Sequence, residues 1–130
     1  MSAKPRLLLL SDAFDMGGGG EVVVAHLAHA LRQRWEVAVL TTTRGAPSAT
    51  RADGLALFAV QSAYHPRLRP MLSLANPLVL RPVRDVLARF RPTVVHAWNV
   101  HGHLSYATLA LAARASARVV LTYQDAQPFC

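Results

Sequence analysis

Four consecutive glycines, Gly17, Gly18, Gly19 and Gly20, stand directly before a segment with helical periodicity. Glycine lets backbone amides approach an anion closely, and a helix N-terminus carries partial positive charge. The run is therefore suited to cradle a phosphate, with a plain flexible turn as the other reading. It is not a P-loop, because no Gly-Lys-Ser/Thr follows. It also fits G-x-G-x-x-G poorly, the last position falling on Val22. Where a dinucleotide site places an acid at the end of the second strand, the sequence has Thr41, Thr42 and Thr43, so a nicotinamide cofactor is not expected.

His96, His101 and His103 form the densest histidine cluster, with Asn99 between them. Hydrogen bonding to a sugar or phosphate at a cleft rim is one reading, and structural hydrogen bonding is the other. A metal would need ligands converging on one face with supporting carboxylates, and none is expected. Gln124 and Asp125 follow an apolar run and can bind hydroxyls or cap a turn. No G-x-S-x-G elbow occurs, which leaves a serine hydrolase without support.

The elements that must position these groups follow from periodicity. Arg6–Ser11, Glu36–Thr42, Leu55–Val60, Thr93–Trp98 and Arg118–Tyr123 are short apolar runs and read as strands. Glu21–Arg34, Val83–Phe90 and Leu104–Ser116 have helical spacing, and Asn76-Pro77 is a helix start, cap then first position. Thr43–Gly54 reads as loop. Gln61–Ala75, with two prolines, is longer than a structural connection requires, a hint of function. Continuous apolar strands separated by helices imply a parallel sheet covered on both faces. The expected fold is an α/β Rossmann-like three-layer sandwich, its five strands in the order 3-2-1-4-5. Leu8, Leu10, Val24, Leu27, Val39, Val95, Leu111 and Val120 are the expected core. A ligand would bind beyond the carboxyl ends of the strands, at the switch between the first and fourth.

At 130 residues the chain suits one domain, and 52% hydrophobic with 16% charged residues excludes a disordered polymer. No apolar run approaches the length of a membrane span, and the N-terminus lacks signal-peptide character, so a cytoplasmic location is expected. A single cysteine excludes an internal disulfide and a cysteine-rich zinc site. The formal charge of +7 comes almost entirely from scattered arginines, without interleaved aromatics or a nucleic-acid motif, so nucleic acid is not an expected partner. Arg81–Arg91 is the nearest thing to a patch, either a solvated helix face or a surface for phosphates or anionic lipid.

Several segments then appear in a particular order: Leu7–Asp12 with Gly17–Glu21, Glu36–Thr43, Asn76-Pro77, Arg91–His101 reading R-P-T-V-V-H-A-W-N-V-H, Val119–Asp125, and Pro128-Phe129-Cys130. Together they resemble the N-terminal, acceptor-side domain of family 4 glycosyltransferases, which have the GT-B fold, along almost the whole chain. The resemblance implies the acceptor-binding half of a retaining, metal-independent hexosyltransferase using a nucleotide-sugar and a glycan or lipid-linked acceptor. It implies that residues 1–130 are an incomplete domain whose donor-binding partner is absent, so that the isolated chain is inactive unless a C-terminal GT-B domain acts in trans. No resident cofactor is implied, and peripheral contact with the inner face of a membrane is compatible with it.

By the same resemblance the glycines Gly17–Gly20 close on the donor phosphates, while His96, Asn99, His101 and Asp125 face acceptor or sugar. Gln124 takes the catalytic position where the family has a histidine against the donor sugar. The sequence also departs from the family at Arg34-Trp35, usually Gly-His, and at Thr93, usually Asp. With Gln124 unable to share a proton as imidazole can, a non-catalytic Rossmann-like binding or interaction module is the alternative function.

Overall fold

The structure is a computed structural model, and it describes residues 3–12, 19–52, 55–115 and 118–122. Six strands form one sheet: β1 (Arg6–Ser11), β2 (Glu36–Thr43), β3 (Ser48–Ala52), β4 (Leu55–Gln61), β5 (Val94–Asn99) and β6 (Arg118–Leu121). The spatial order is β3-β4-β2-β1-β5-β6. All pairings are parallel except β3 with β4. The five parallel strands thus stand in the expected 3-2-1-4-5 arrangement.

The added strand corrects the reading of Thr43–Gly54 as loop. Ser48–Ala52 lies at the sheet edge with residues 48–51 exposed and no apolar alternation, and it is held by antiparallel pairing such as Thr50 with Leu57.

Helices are α1 (Gly19–Leu31), the single turn α2 (Arg69–Leu72) after a 3-10 turn at Pro66–Leu68, α3 (Pro77–Phe90) and α4 (Ala107–Arg114). The inner strands alternate between two cores. Leu8, Leu10, Ala38, Leu40, Val95 and Ala97 face α3 and α4, against Val79, Val83, Leu87 and Ala112. Leu7, Leu9, Val37 and Val39 face α1, against Val24 and Ala28.

Of the expected core, Leu8, Leu10, Val24, Val39 and Val95 are buried, whereas Leu27 and Leu111 are half-buried at its margin. Val120 is a correction: it is 46% exposed. It pairs with His96 on the side of the sheet that carries α1, and β6 is the edge strand there.

Local chemistry sets the helix ends. The Asn76 side chain accepts from Leu78 N at 3.0 Å and Pro77 takes the first position, as the sequence suggests. Helix α4 begins three residues later than expected, because Ser105 is left-handed (φ 75°) and its amide bonds back to Val100 O. Helix α1 ends at Leu31 without glycine. The Leu31 carbonyl accepts from both Arg34 N and Trp35 N, Lys4 Nζ donates to Arg32 O, and Trp35 packs on the α1 core.

Helix α3 closes on Arg91, which takes the left-handed C-terminal position (φ 55°) while donating its amide to Leu87 O. That conformation is strained for any residue with a Cβ and natural for glycine. Arg91→Gly is expected to raise stability by about 0.5–1 kcal/mol in urea unfolding. Arg89→Gly, two residues earlier and inside the helix, should lower it by about 1 kcal/mol. Equal destabilisation by both would show that position 91 carries no strain.

Candidate functional site

The carboxyl ends of β1, β2, β4 and β5 bring together Asp12, Thr42, Arg44, Ser62, Tyr64 and His103. Asp12 leaves β1 where the sheet order switches, between β2 and β5. Its two carboxylate oxygens accept from the backbone amides of Gly102 (2.6 Å) and Leu104 (2.8 Å). Its own carbonyl accepts from Thr42 Oγ1 at 2.5 Å. One residue therefore joins the ends of β1 and β2 to the turn that follows β5.

Burial pushes the Asp12 carboxyl above its ordinary range, and the amides of Leu104 and Gly102 oppose that push. Gly102 is required for the approach, since a Cβ there would lie 2.8 Å from Asp12 Oδ2 and 3.2 Å from the Arg69 guanidinium.

A second network fixes His103. The amide of Asn76 has a settled orientation, because Oδ1 caps α3 while Nδ2 donates to Ser62 Oγ (3.1 Å) and His103 O (2.7 Å). Ser62 Oγ lies 2.9 Å from His103 Nδ1, and in one of the two neutral tautomers of the ring it donates its proton there. In that tautomer the ring carries its proton on Nε2, as a donor. Burial holds His103 below the usual histidine range, with the Arg69 and Arg44 charges adding to that and Asp12 opposing it. Tyr64 lies beside the ring, centroids 5.0 Å apart, and donates its hydroxyl to Gly102 O. Arg44, Tyr64, Pro66, Arg69 and His103 line a recess of about 110 Å3.

The residues named from sequence do not form one cluster among the described residues. His103 belongs to this crevice, and His101 stands in the same turn, half-buried. His96 instead bonds Thr122 Oγ1 through Nε2 at 2.8 Å and stacks on Trp98, centroids 4.6 Å apart. Asn99 ends β5 opposite Ser11 in the register. Gly19 and Gly20 open α1, two residues earlier than its expected start. Gly17, Gly18, Gln124 and Asp125 lie outside the described residues.

Arg44, Tyr64 and Arg69 were missed as site residues. Tyr64 and Arg69 were signalled only by the excessive length and basic character of the segment after β4, and Arg44, directly after β2, carried no signal. Among the described residues no helix is long and apolar enough to cross a membrane.

A mostly parallel sheet of this order, with a polar crevice at its switch point, defines a Rossmann-like domain of the GT-B type. The family model for Glycosyltransferase Family 4 matches residues 17–128, and the chain belongs to that family. Among solved structures it is similar to Phytolacca americana UGT2, complexed with UDP-2-fluoro-glucose and pterostilbene, at 13% identity and a TM-score of 0.59. That match covers 95% of this chain and 31% of the other. It is similar also to a UDP-forming α,α-trehalose-phosphate synthase from Burkholderia vietnamiensis, at 15% identity and a TM-score of 0.55, covering 91% of this chain and 32% of that one. The chain thus spans about a third of the length of these structures, and the likeness is one of fold. No curated protein matches the sequence.

Replacing the shared carboxylate tests the site's architecture. Asp12→Asn presents one amide N–H to a backbone donor and is expected to cost about 1–3 kcal/mol in chemical denaturation, as for one buried donor left without an acceptor. Gly102→Ala is expected to cost at least as much through its clash with the same carboxylate.

Burial holds both His96 and His103 below their ordinary range. In the pH interval just below 6.5 the unfolded chain therefore binds more protons than the folded one, and stability falls as pH falls. Asp12, shifted upward, acts in the opposite sense above 3.8. Thermal midpoints should decline from pH 7 toward 5.5, and the double variant His96→Gln, His103→Gln should flatten that decline. An unchanged slope would refute the assignment to these two rings.

Proposed function

We propose that this chain is the acceptor-side half of a retaining glycosyltransferase that moves a sugar from a nucleotide-sugar to a glycan or lipid-linked acceptor. The observation that supports it is a polar crevice at the sheet's switch point in a chain of this family. The structurally similar plant protein is complexed with UDP-2-fluoro-glucose and pterostilbene, which supports a nucleotide-sugar as one substrate here.

In this reading the crevice orients the acceptor. His103 offers its Nε2–H, Asp12 keeps the 100–104 turn rigid, and Asn99, His101 and Asp125 serve acceptor or sugar, while His96 is engaged with Thr122 and Trp98. The glycine run Gly17–Gly20 closes on the donor diphosphate, and the Gln124 amide hydrogen-bonds a donor hydroxyl. Donor affinity comes mainly from a second GT-B domain, in trans or in continuation, without a resident cofactor or metal. Catalysis then rests on positioning and on stabilising the leaving diphosphate.

Leu68, Met71, Leu74 and Leu78 are exposed, and Arg67, Arg69, Arg81 and Arg84 lie among and beyond them in sequence. This basic, apolar segment supports peripheral contact with an anionic membrane, and the protein works in the cytoplasm or at the membrane's inner face.

Gln124 favours one further reading, a non-catalytic binding module. Sugar transfer by this chain together with a donor-binding domain of the family separates the two. Transfer is expected with the native chain, and Gln124→His should raise turnover more than it changes donor affinity. Absence of transfer with either residue at 124 would establish the binding module instead.

A further inference from the structure

The recess beside Asp12 has a charge pattern that its structural role does not use. Arg44 enters from the end of β2 and Arg69 from the segment after β4, and both side chains are exposed. Among the described residues neither guanidinium has a hydrogen bond or ion pair. His103 turns its Nε2–H away from Ser62, and Tyr64, having donated to Gly102 O, keeps its hydroxyl lone pairs. The Asp12 carboxylate accepts from two backbone amides.

Three donors from three separate elements therefore face one cavity of about 110 Å3. Liquid water takes about 30 Å3 per molecule, so the recess takes a group of roughly four heavy atoms, and the rest of a ligand extends through its open mouth. We propose that this recess binds a phosphate group carried by the acceptor, so that the acceptor is a phosphorylated compound held through Arg44, Arg69 and His103. The proposal rests on the acceptor-side reading above and deepens it.

A dianionic tetrahedral group matches two guanidinium forks and one imidazole N–H better than a carboxylate, which offers a single charge and two oxygens. The recess draws on the ends of β2, β4 and β5, and its two arginines come from β2 and β4, on the opposite side of β1 from β6. Gln124, assigned above to the donor sugar, follows β6 in the chain, so the recess suits the acceptor rather than the donor.

The phosphate can belong to a soluble sugar phosphate or to a lipid headgroup, and the test has an arm for each. The 130-residue chain is titrated, by calorimetry and by side-chain NMR of arginine and histidine, with inorganic phosphate and with a hexose phosphate beside the same unphosphorylated hexose. It is also sedimented with phosphatidylcholine vesicles with and without phosphatidic acid. Arg44→Gln and Arg69→Gln alter exposed side chains and keep the fold, which circular dichroism checks. Arg114→Gln, an exposed residue of α4, removes the same charge elsewhere.

Each recess variant is expected to weaken phosphate binding about tenfold, as for loss of one charge-assisted contact, while the Arg114 variant binds like the native chain. Binding of the hexose phosphate alone identifies a soluble acceptor, and binding of phosphatidic acid vesicles alone, with the same dependence on Arg44 and Arg69, identifies a lipid. Equal loss in all three variants, no loss in the recess variants, or hexose binding as well as its phosphate would overturn the proposal. Phosphate binding at the recess without sugar transfer would remove the enzymatic reading and leave the site. Transfer to an unphosphorylated acceptor, indifferent to Arg44 and Arg69, would do the reverse.

Discussion

The crevice depends on one carboxylate. Asp12 sits where β1 ends, and the sheet order places β2 on one side of that strand and β5 on the other. By accepting the amides of Gly102 and Leu104, it holds the turn after β5 against the end of β1, across 90 residues of sequence for the first of these bonds. Burying a carboxylate is costly, and two amide bonds offset only part of that cost, which is why the group remains harder to ionise than a free aspartate. The cost yields placement. With the turn fixed, Val100 and Leu104 enter the core under α3 and α4, and His103 faces the recess.

The histidine is set by a chain of hydrogen bonds that begins at a helix cap. Asn76 is fully buried and uses its oxygen for α3 and both amide protons for the site. Ser62, also buried, passes that polarity to His103 Nδ1. The carbonyls of Ser73 and Leu74 accept the amides of Tyr106 and Ala107 at the start of α4. The long segment after β4 is thus tied at both ends to the turn after β5. Its backbone groups bond within its own short helical turns, to Thr43 O of β2, and to that turn and the start of α4.

Much of the scaffold was legible in residue patterns. Continuous apolar runs marked the five parallel strands, the spacing of Val83, Val86, Leu87 and Phe90 marked α3, and Asn76-Pro77 marked its start. Strand β3 was illegible because its residues bury nothing and its order comes from backbone pairing with β4. The delayed start of α4 was hidden for a similar reason, since a left-handed Ser105 follows from long-range bonds. The site was only half legible. Histidines stood out by density, yet His96 and His103 found different partners, Thr122 and Ser62. Arg44 and Arg69 carry no periodicity, and only the folded topology brings them to one recess.

Coupling between Asp12 and the turn after β5 is open to direct observation. A pH titration of the native chain, followed through the amide resonances of Gly102 and Leu104, reads the carboxylate through its own hydrogen bonds. Both amides should report a single common transition, centred above the ordinary aspartate value of 3.8 and absent from Asp12→Asn. Amides that shift independently of each other, or a common transition below that value, would contradict the bridging role of Asp12.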